Sequence, residues 1–472
     1  MNRPSGRFGG AFESFGHRNY RLLWGGSLLS TTAFMTTFLL VPIVGYEITG
    51  SYALSTLAQM GSGLSMFFLG PLGGVIADRY PKKPLVLAGQ IFPALLIVGT
   101  GIMIVTGIIT IPLLFLATLM MGFGFALMGP ARQAWLGELI PRRLLGNGVA
   151  LQQMSQNMAR VLGPMLGSIA VFFGVSSGAL YLSVAGLFLI VVPLTTMLPR
   201  TRPPHQEGDQ PRRTAMGDLI HGFAYLRSNR RLRLLWLYWM VIVVCGFSVN
   251  ALTPGIMDRE FGRSAQEAFI VFLPFGISSV LISIPLAGLM SGRFAWPLLL
   301  IFGLASSVTL WAFAIAPTFE TLILLALPVG AATSGVMLIN MSLMMTNSRA
   351  EYFGRVMSFI MLGYGMQSVM APVWGGLAEW LGGREALIAV GVVALFATVL
   401  MTFGWLRTRH LPLELGTAAA DEEPERARAS SPRVTRQPVP AFASQVAPVV
   451  LMGAQKPPGG SGELPRLAAG GD

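Results

Sequence analysis

Charge and cysteine are scarce in this chain, and their scarcity narrows the possibilities first. Only 11% of the 472 residues are Asp, Glu, Lys or Arg, well under the roughly 25% that soluble domains ordinarily carry. The one cysteine, Cys245, lies in an apolar run. That excludes an intrachain disulfide and a cysteine-ligated zinc or iron–sulfur centre. The four histidines, His17, His205, His221 and His410, all fall in hydrophilic stretches, so the apolar segments lack the other common metal ligand. No Gly-x4-Gly-Lys-Ser/Thr loop occurs, which argues against ATP hydrolysis within the chain. No carboxylate falls in the middle of an apolar run: Glu47, Glu138, Asp258 and Glu379 sit near run ends.

Apolar sequence, by contrast, is abundant. Hydrophobic residues make up 53% of the chain and mean hydropathy is +0.63. They come as unbroken runs of about 20 residues or more, enough to cross a hydrocarbon core of roughly 30 Å. Because the runs do not alternate polar with apolar, a transmembrane barrel is excluded. The pattern predicts an all-α polytopic membrane protein of twelve transmembrane helices in two six-helix halves. The first six are expected at 20–46, 52–76, 84–106, 111–136, 144–173 and 179–197, the second six at 232–254, 268–290, 294–315, 318–345, 353–381 and 385–405. The first run is too long, and lacks the small-residue cleavage site, for a removable signal peptide. The domains follow: an N-terminal segment 1–19, a first half 20–198, a linker 199–231 with an amphipathic helix around 218–227, a second half 232–406, and a tail 407–472 too poor in apolar residues to order itself.

The net charge of +12 invites a nucleic-acid reading, but the basic residues mark one side of a membrane instead. Of 33 Lys and Arg, only Arg259, Arg263 and Arg384 fall on the opposite side, and one, Arg160, falls mid-span. By the positive-inside rule the crowded side is cytoplasmic. The short loops agree, with Arg79, Lys82 and Lys83 in one and Arg132, Arg142 and Arg143 in another. Both termini are therefore expected inside a plasma (inner) membrane, with the bilayer and a small-molecule substrate as partners, no nucleic acid, and a monomeric state.

Sliding the chain against itself by 208 residues overlays Gly122 on Gly330, Gly146 on Gly354, Pro164 on Pro372, Gly167 on Gly375 and Gly174 on Gly382. Glycine and proline fix backbone geometry, so their coincidence carries more weight than overall identity. A slightly different offset sets Pro71, Gly74 and Arg79 over Pro285, Gly288 and Arg293. Parallel repeats of this kind belong to one large class of transporters.

From Gly70 to Lys83 the chain reads Gly-Pro-Leu-Gly-Gly-Val-Ile-Ala-Asp-Arg-Tyr-Pro-Lys-Lys. This resembles the signature loop of the major facilitator superfamily, with Gly74, Asp78, Arg79, Lys82 and Lys83 on the pattern and Pro81 where glycine is usual. A carboxylate at Asp78 can sit against the positive end of a neighbouring helix and hold two halves together. The resemblance implies that this partner is the helix beginning near Phe353, and that the contact gates the inward face; the plainer alternative is a loop anchor that sets topology. Three further stretches resemble the enterobactin-exporter-like and multidrug efflux branch: Arg18 to Trp24, Gly129 to Pro141, and Asn157 to Pro164. That resemblance implies an exporter. Thr118 stands where many drug antiporters of the superfamily carry an arginine, so their proton relay does not transfer.

The fifth span is the richest in chemistry. Gln152, Gln153, Gln156, Asn157 and Arg160 share one helical face, which cannot point at lipid. A mid-span arginine costs about 2.5–3.5 kcal/mol even on the lenient insertion scale. Arg160 must therefore face a wet cavity, a partner or an anionic ligand. It is either a counter-charge or gate for an acidic or catecholate substrate, or a packing element bonded to carbonyls or to the Glu138 region. Gly163, Pro164 and Gly167 in this span, and Pro372 and Gly375 in the eleventh, are expected to let helices approach closely. No cofactor is expected. Transport would draw on a proton gradient, with Glu138 the candidate carrier. The rivals are import of a small organic anion and, in another class, a membrane enzyme or assembly factor.

Overall fold

A computed structural model describes residues 10–199, 223–289, 294–349 and 352–408. Among them are twelve helices of at least 20 residues and no strand. They are α1 (Arg18–Thr49), α2 (Tyr52–Arg79), α3 (Lys82–Val105), α4 (Ile111–Leu139), α5 (Leu145–Phe172), α6 (Ser177–Thr196), α7 (Arg230–Phe261), α8 (Ala268–Leu289), α9 (Ala295–Ala314), α10 (Phe319–Thr346), α11 (Phe353–Leu381) and α12 (Gly383–Thr408). Of the helix expected around 218–227, the described part, from 223, is helical; the tail lies outside the described residues.

Short connections fix the sequence of turns. Gly50 closes α1 in the left-handed region, its N–H on the Tyr46 carbonyl, and the Ser51 side chain at once caps α2 by accepting from the Leu54 N–H. Gly262 ends α7 in the same left-handed way.

Ten of the helices are long and apolar enough to cross a membrane, and the chain is a multi-pass integral membrane protein. The two that fall short are α2 and α5, which carry runs of Gly, Ser and Gln. Packing explains their composition. Helix α2 is wedged between α4 and α11, and α5 between α1 and α8, so both meet protein where others meet lipid. The lipid-ready surface is visible elsewhere, in outward side chains such as Phe172, Leu189, Phe396 and Trp380.

The pairing of the first six helices is repeated by the last six. Contacts of α2 with α4, α3 with α6, α1 with α5 and α1 with α6 recur as α8 with α10, α9 with α12, α7 with α11 and α7 with α12. The most extensive packing between the sets is that of α2 with α11 and of α5 with α8, with α1 and α2 also meeting α7.

Several helix ends lie beyond their sequence-based limits. Helix α3 begins at Lys82, and α7 runs on to Phe261. Helix α4 continues to Leu139, and Arg132, counted with the loop charges although the expected span 111–136 already took it in, lies inside the helix and is 8% exposed. The helix buries that charge against Ser30 of α1.

Candidate functional site

One rim of the bundle, formed by the α1–α2, α7–α8 and α11–α12 connections, is laced across the two helix sets. We call it the distal rim, because both described chain ends lie at the other, proximal, end. The Glu379 carboxylate accepts from Ser51 Oγ at 2.9 Å, from the Tyr52 N–H at 2.7 Å and from Arg259 Nη2 at 2.8 Å. Arg259 also donates to the Gly50 carbonyl at 2.7 Å and to the Tyr46 hydroxyl at 3.1 Å, and its guanidinium lies 4.8 Å from the centre of the Tyr52 ring. The Tyr46 hydroxyl in turn donates to Asp258 at 3.1 Å. Two more bonds join the sets on this side: Gln266 to the Val175 carbonyl and Ser168 to the Phe269 carbonyl.

This latch is not legible as a unit in the sequence, because Arg259 and Glu379 lie 120 residues apart. A signal existed all the same. The three arginines on the sparsely charged side are each paired: Arg259 with Glu379, Arg263 with Glu267, and Arg384 with Glu260.

Beneath the latch lie two adjoining narrow clefts that share Phe38 and Gln59. The first reaches to Phe247 and Ser248 of α7 and to Gln367 and Trp374 of α11; the second reaches to Thr118 and Met121 of α4. An aromatic chain crosses at this depth, Phe38 edge-on to Phe247 and Phe247 edge-on to Tyr364. All residues lining the clefts are uncharged.

Helix α5 separates the polar residues that the sequence placed on one face. Gln152 turns inward and is buried with Ser155 and Ala159, on the side that packs on α1. Gln153 is exposed, while Gln156, Asn157 and Arg160 are half-buried. These four follow i, i+3, i+4, i+7 spacing and so form a stripe. Among the described residues none of their side chains has a hydrogen-bond or ion-pair partner. In particular, Arg160 touches neither a neighbouring carbonyl nor Glu138.

The backbone of Arg160 has a separate role. Pro164 lacks an N–H, so the Arg160 carbonyl loses its helical donor. Gly276 of α8 rests on that carbonyl, where an added Cβ would come within 2.5 Å of its oxygen. The 208-residue offset that pairs Pro164 with Pro372 also pairs Arg160 with Ser368. There Gly63 of α2 packs on α11, with an added Cβ 2.6 Å from the Ser368 Cβ. The α5–α8 and α2–α11 crossings are thus built alike. Of the other small residues, Gly163 lies against Met35 and Thr36 of α1, Gly167 against the Phe269 ring, and Gly375 against Tyr52 and Thr56.

At the proximal rim the motif lysines hold their own helix set together. Lys83 Nζ donates to the Thr196 and Leu198 carbonyls, both at 2.6 Å, and so caps the end of α6. Lys82 lies 3.8 Å from Glu138, whose second carboxylate oxygen is buried without a partner. Gly74, Asp78 and Arg79 lie in α2, but their surroundings, and the expected contact of Asp78 near Phe353, fall outside the described residues. Tyr20 and Trp24 donate to the Gly148 and Leu151 carbonyls of α5, which gives the first efflux-branch stretch a docking role. Buried Arg132 donates to Ser30 Oγ at 2.8 Å and, among the described residues, has no carboxylate partner.

The comparisons with known proteins agree with this architecture. The model of the transmembrane secretion effector family matches residues 9–426. The chain is 23% identical over 377 residues to the MFS-type transporter YfiS of Bacillus subtilis (strain 168), covering 77% of this chain and 87% of that protein. It is also 23% identical over 402 residues to the enterobactin exporter EntS of Shigella boydii serotype 4, covering 81% and 92%. Among solved structures, the nucleoside transporter NupG superposes with a TM-score of 0.67 at 16% identity, covering 82% of this chain and 99% of that one. A POT family transporter in complex with 5-aminolevulinic acid gives 0.65 at 14% identity, covering 84% and 97%. These relatives are transporters, not enzymes. With its helices paired in this way and a family match running over nearly all of them, the chain belongs to the transmembrane secretion effector family of major facilitator transporters.

Proposed function

We propose that the protein is a secondary active transporter that exports small organic molecules, siderophore-like or drug-like, by alternating access across the plasma (inner) membrane. All twelve long helices span the bilayer, in two pseudo-symmetric halves, 20–198 and 232–406. The linker 199–231, the segment 1–19 and the tail 407–472 lie in the cytoplasm. The observation that carries this reading is the latch itself: among the described residues, α1 and α2 are bonded to α7 and α11 through side chains at the distal rim. The bias of Lys and Arg puts that rim outside. The described conformation is then closed outward, and the unpartnered stripe on α5 belongs to a wet, inward-opening cavity, where Arg160 meets water or an anionic group of the cargo. Export, rather than import, is favoured by similarity to the enterobactin exporters.

A proton crossing a 100 mV potential releases about 2.3 kcal/mol, sufficient to drive such a cycle. Glu138 is the proposed carrier, a carboxylate at the end of α4 with one oxygen buried without a hydrogen-bond partner among the described residues. The test is uptake of a labelled catecholate siderophore into inverted membrane vesicles. Accumulation that needs an inward-acid pH gradient, and that an uncoupler abolishes, is the expected result. Gradient-driven uptake confined to right-side-out vesicles would reverse the direction and make the protein an importer of organic anions, the reading that the unpaired Arg160 allows.

A further inference from the structure

The short segment that precedes each helix set is fastened onto that set by the same device. Gly10–Gly16 form a 3₁₀ helix ahead of α1, and residues 223–228 are helical ahead of α7. Phe15 of the first meets the Trp24 ring edge-on, at 5.0 Å between centres and 83° between planes. Phe223 of the second meets the Trp236 ring at 6.5 Å and 87°. Each indole N–H then crosses to the fifth helix of its own set, Trp24 to the Leu151 carbonyl of α5 at 2.8 Å and Trp236 to the Phe359 carbonyl of α11 at 3.4 Å. Both carbonyls lie in a helix interior and accept the N–H four residues on, so the indole bonds are ties between helices rather than repairs of a helix end.

Phe15 and Phe223, like Leu151 and Phe359, are related by the 208-residue offset. Trp24 and Trp236 are four residues out of that register, which places the extra turn between Phe223 and Trp236. That turn carries Tyr225, which stacks on Tyr352 at 3.9 Å and accepts from the Arg349 N–H at 3.1 Å. The first segment is held differently, by the Ser14 N–H on Asn147 Oδ1 at 3.0 Å and by Glu13 on Arg143 at 2.7 Å. The anchors differ between the sets, whereas the series of aromatic strap, indole and fifth-helix carbonyl is kept.

We infer that Trp24 and Trp236 are paired positioning residues of the transport cycle, each locking the first helix of its set to the proximal end of the fifth. Helices α5 and α11 are the ones that make the close crossings at Gly276 and Gly63. A fifth helix tied in this way must swing with α1 or α7, so movement at the distal latch reaches the crossings as rotation of whole bodies. The second set doubles its tie, with Trp239 Nε1 on the Ile360 carbonyl at 3.1 Å, where Ser27 stands at the matching place in α1. The first set therefore depends more on its one indole. The inference rests on the proposed transport cycle for its purpose, but its first readout is a distance.

The experiment uses the full-length protein in liposomes, with spin labels on cysteines at Gly16 and Gly146, where an added Cβ meets nothing within 4 Å. The one native cysteine, Cys245, is buried. Wild type should give one narrow distance distribution. Trp24→Phe keeps a ring for Phe15 but loses the donor, and should raise the population at longer distances about 2- to 10-fold, the range expected for one lost hydrogen bond. A second label pair, at Phe173 and Ser264 across the distal rim, separates positioning from packing. The balance there should shift by a similar factor in Trp24→Phe and by less in Trp236→Phe, and siderophore uptake by inverted vesicles should fall in the same order. Size-exclusion profiles establish that the variants fold. Wild-type distributions at both label pairs in folded Trp24→Phe would overturn the inference, whether or not its unfolding temperature falls. So would loosening at Gly16 and Gly146 with distal distances and uptake unchanged. Absence of uptake by the wild type would instead overturn the transport reading, and the two label pairs would still decide whether the indole ties couple the rims.

Discussion

Removing the Glu379 side chain should open the distal rim. In Glu379→Ala the Ser51 and Tyr52 donors lose their acceptor, and Arg259 loses the carboxylate that aims it at Gly50 and Tyr46. A hydrogen bond to a charged group in a protected site contributes about 1.5–3 kcal/mol. Both members of this ion pair are 38% exposed on their side chains, so solvent screening reduces the pair itself to about 0.2–1 kcal/mol. The bonds from Ser51 and Tyr52 are formed only when the two helix sets meet, and they add a comparable amount. A total of about 1–2 kcal/mol shifts the balance between outward-closed and outward-open forms by roughly 5- to 30-fold. Spin labels on cysteines introduced at Phe173 and Ser264 report that balance by their distance distribution, since the one native cysteine, Cys245, is buried. The wild type should show mainly the short distance, and the variant a clear gain of the longer one. An unchanged distribution in a folded variant would refute the latch as a conformational lock.

Three further outcomes follow from the same geometry. Arg160→Ala should reduce siderophore transport at least about tenfold while leaving thermal stability nearly unchanged, because no partner is lost; a fall of more than about 1 kcal/mol would show that the guanidinium holds the fold together. Gly276→Leu drives a side chain into the Arg160 carbonyl, so overpacking of about 1–3 kcal/mol should jam the α5–α8 crossing and arrest transport, measured in the same vesicles. Lys83→Ala strips two bonds from the end of α6 and should lower the unfolding temperature with a loss of about 1 kcal/mol, without altering the label distances at the distal rim.

How much of this was legible beforehand depends on the range of the interaction concerned. Apolar runs reported the helices, because each span must satisfy its backbone within itself and face lipid. Their ends were less legible. Arg132 counts as a loop charge in the tally of basic residues, and only the position of α1 supplies Ser30 as its buried partner. The stripe on α5 could be read from its spacing, but not the turn of Gln152 toward α1, which depends on where α1 lies. The proline and glycine repeat hinted at equivalent positions, and the crossings at Gly276 and Gly63 show what those positions do. The latch was invisible, since it is assembled from helices far apart in sequence and leaves no local pattern.

The central claim is that the two helix sets must part at the distal rim for cargo to leave. Cysteines at Val175 and Gln266, whose neighbourhood is fixed by the Gln266 to Val175 hydrogen bond, can be joined there by a short bifunctional thiol reagent with the rest of the latch intact. Gradient-driven siderophore uptake in inverted vesicles should stop on cross-linking and return when a cleavable linker is reduced. Uptake at the wild-type rate by fully cross-linked protein would contradict the account.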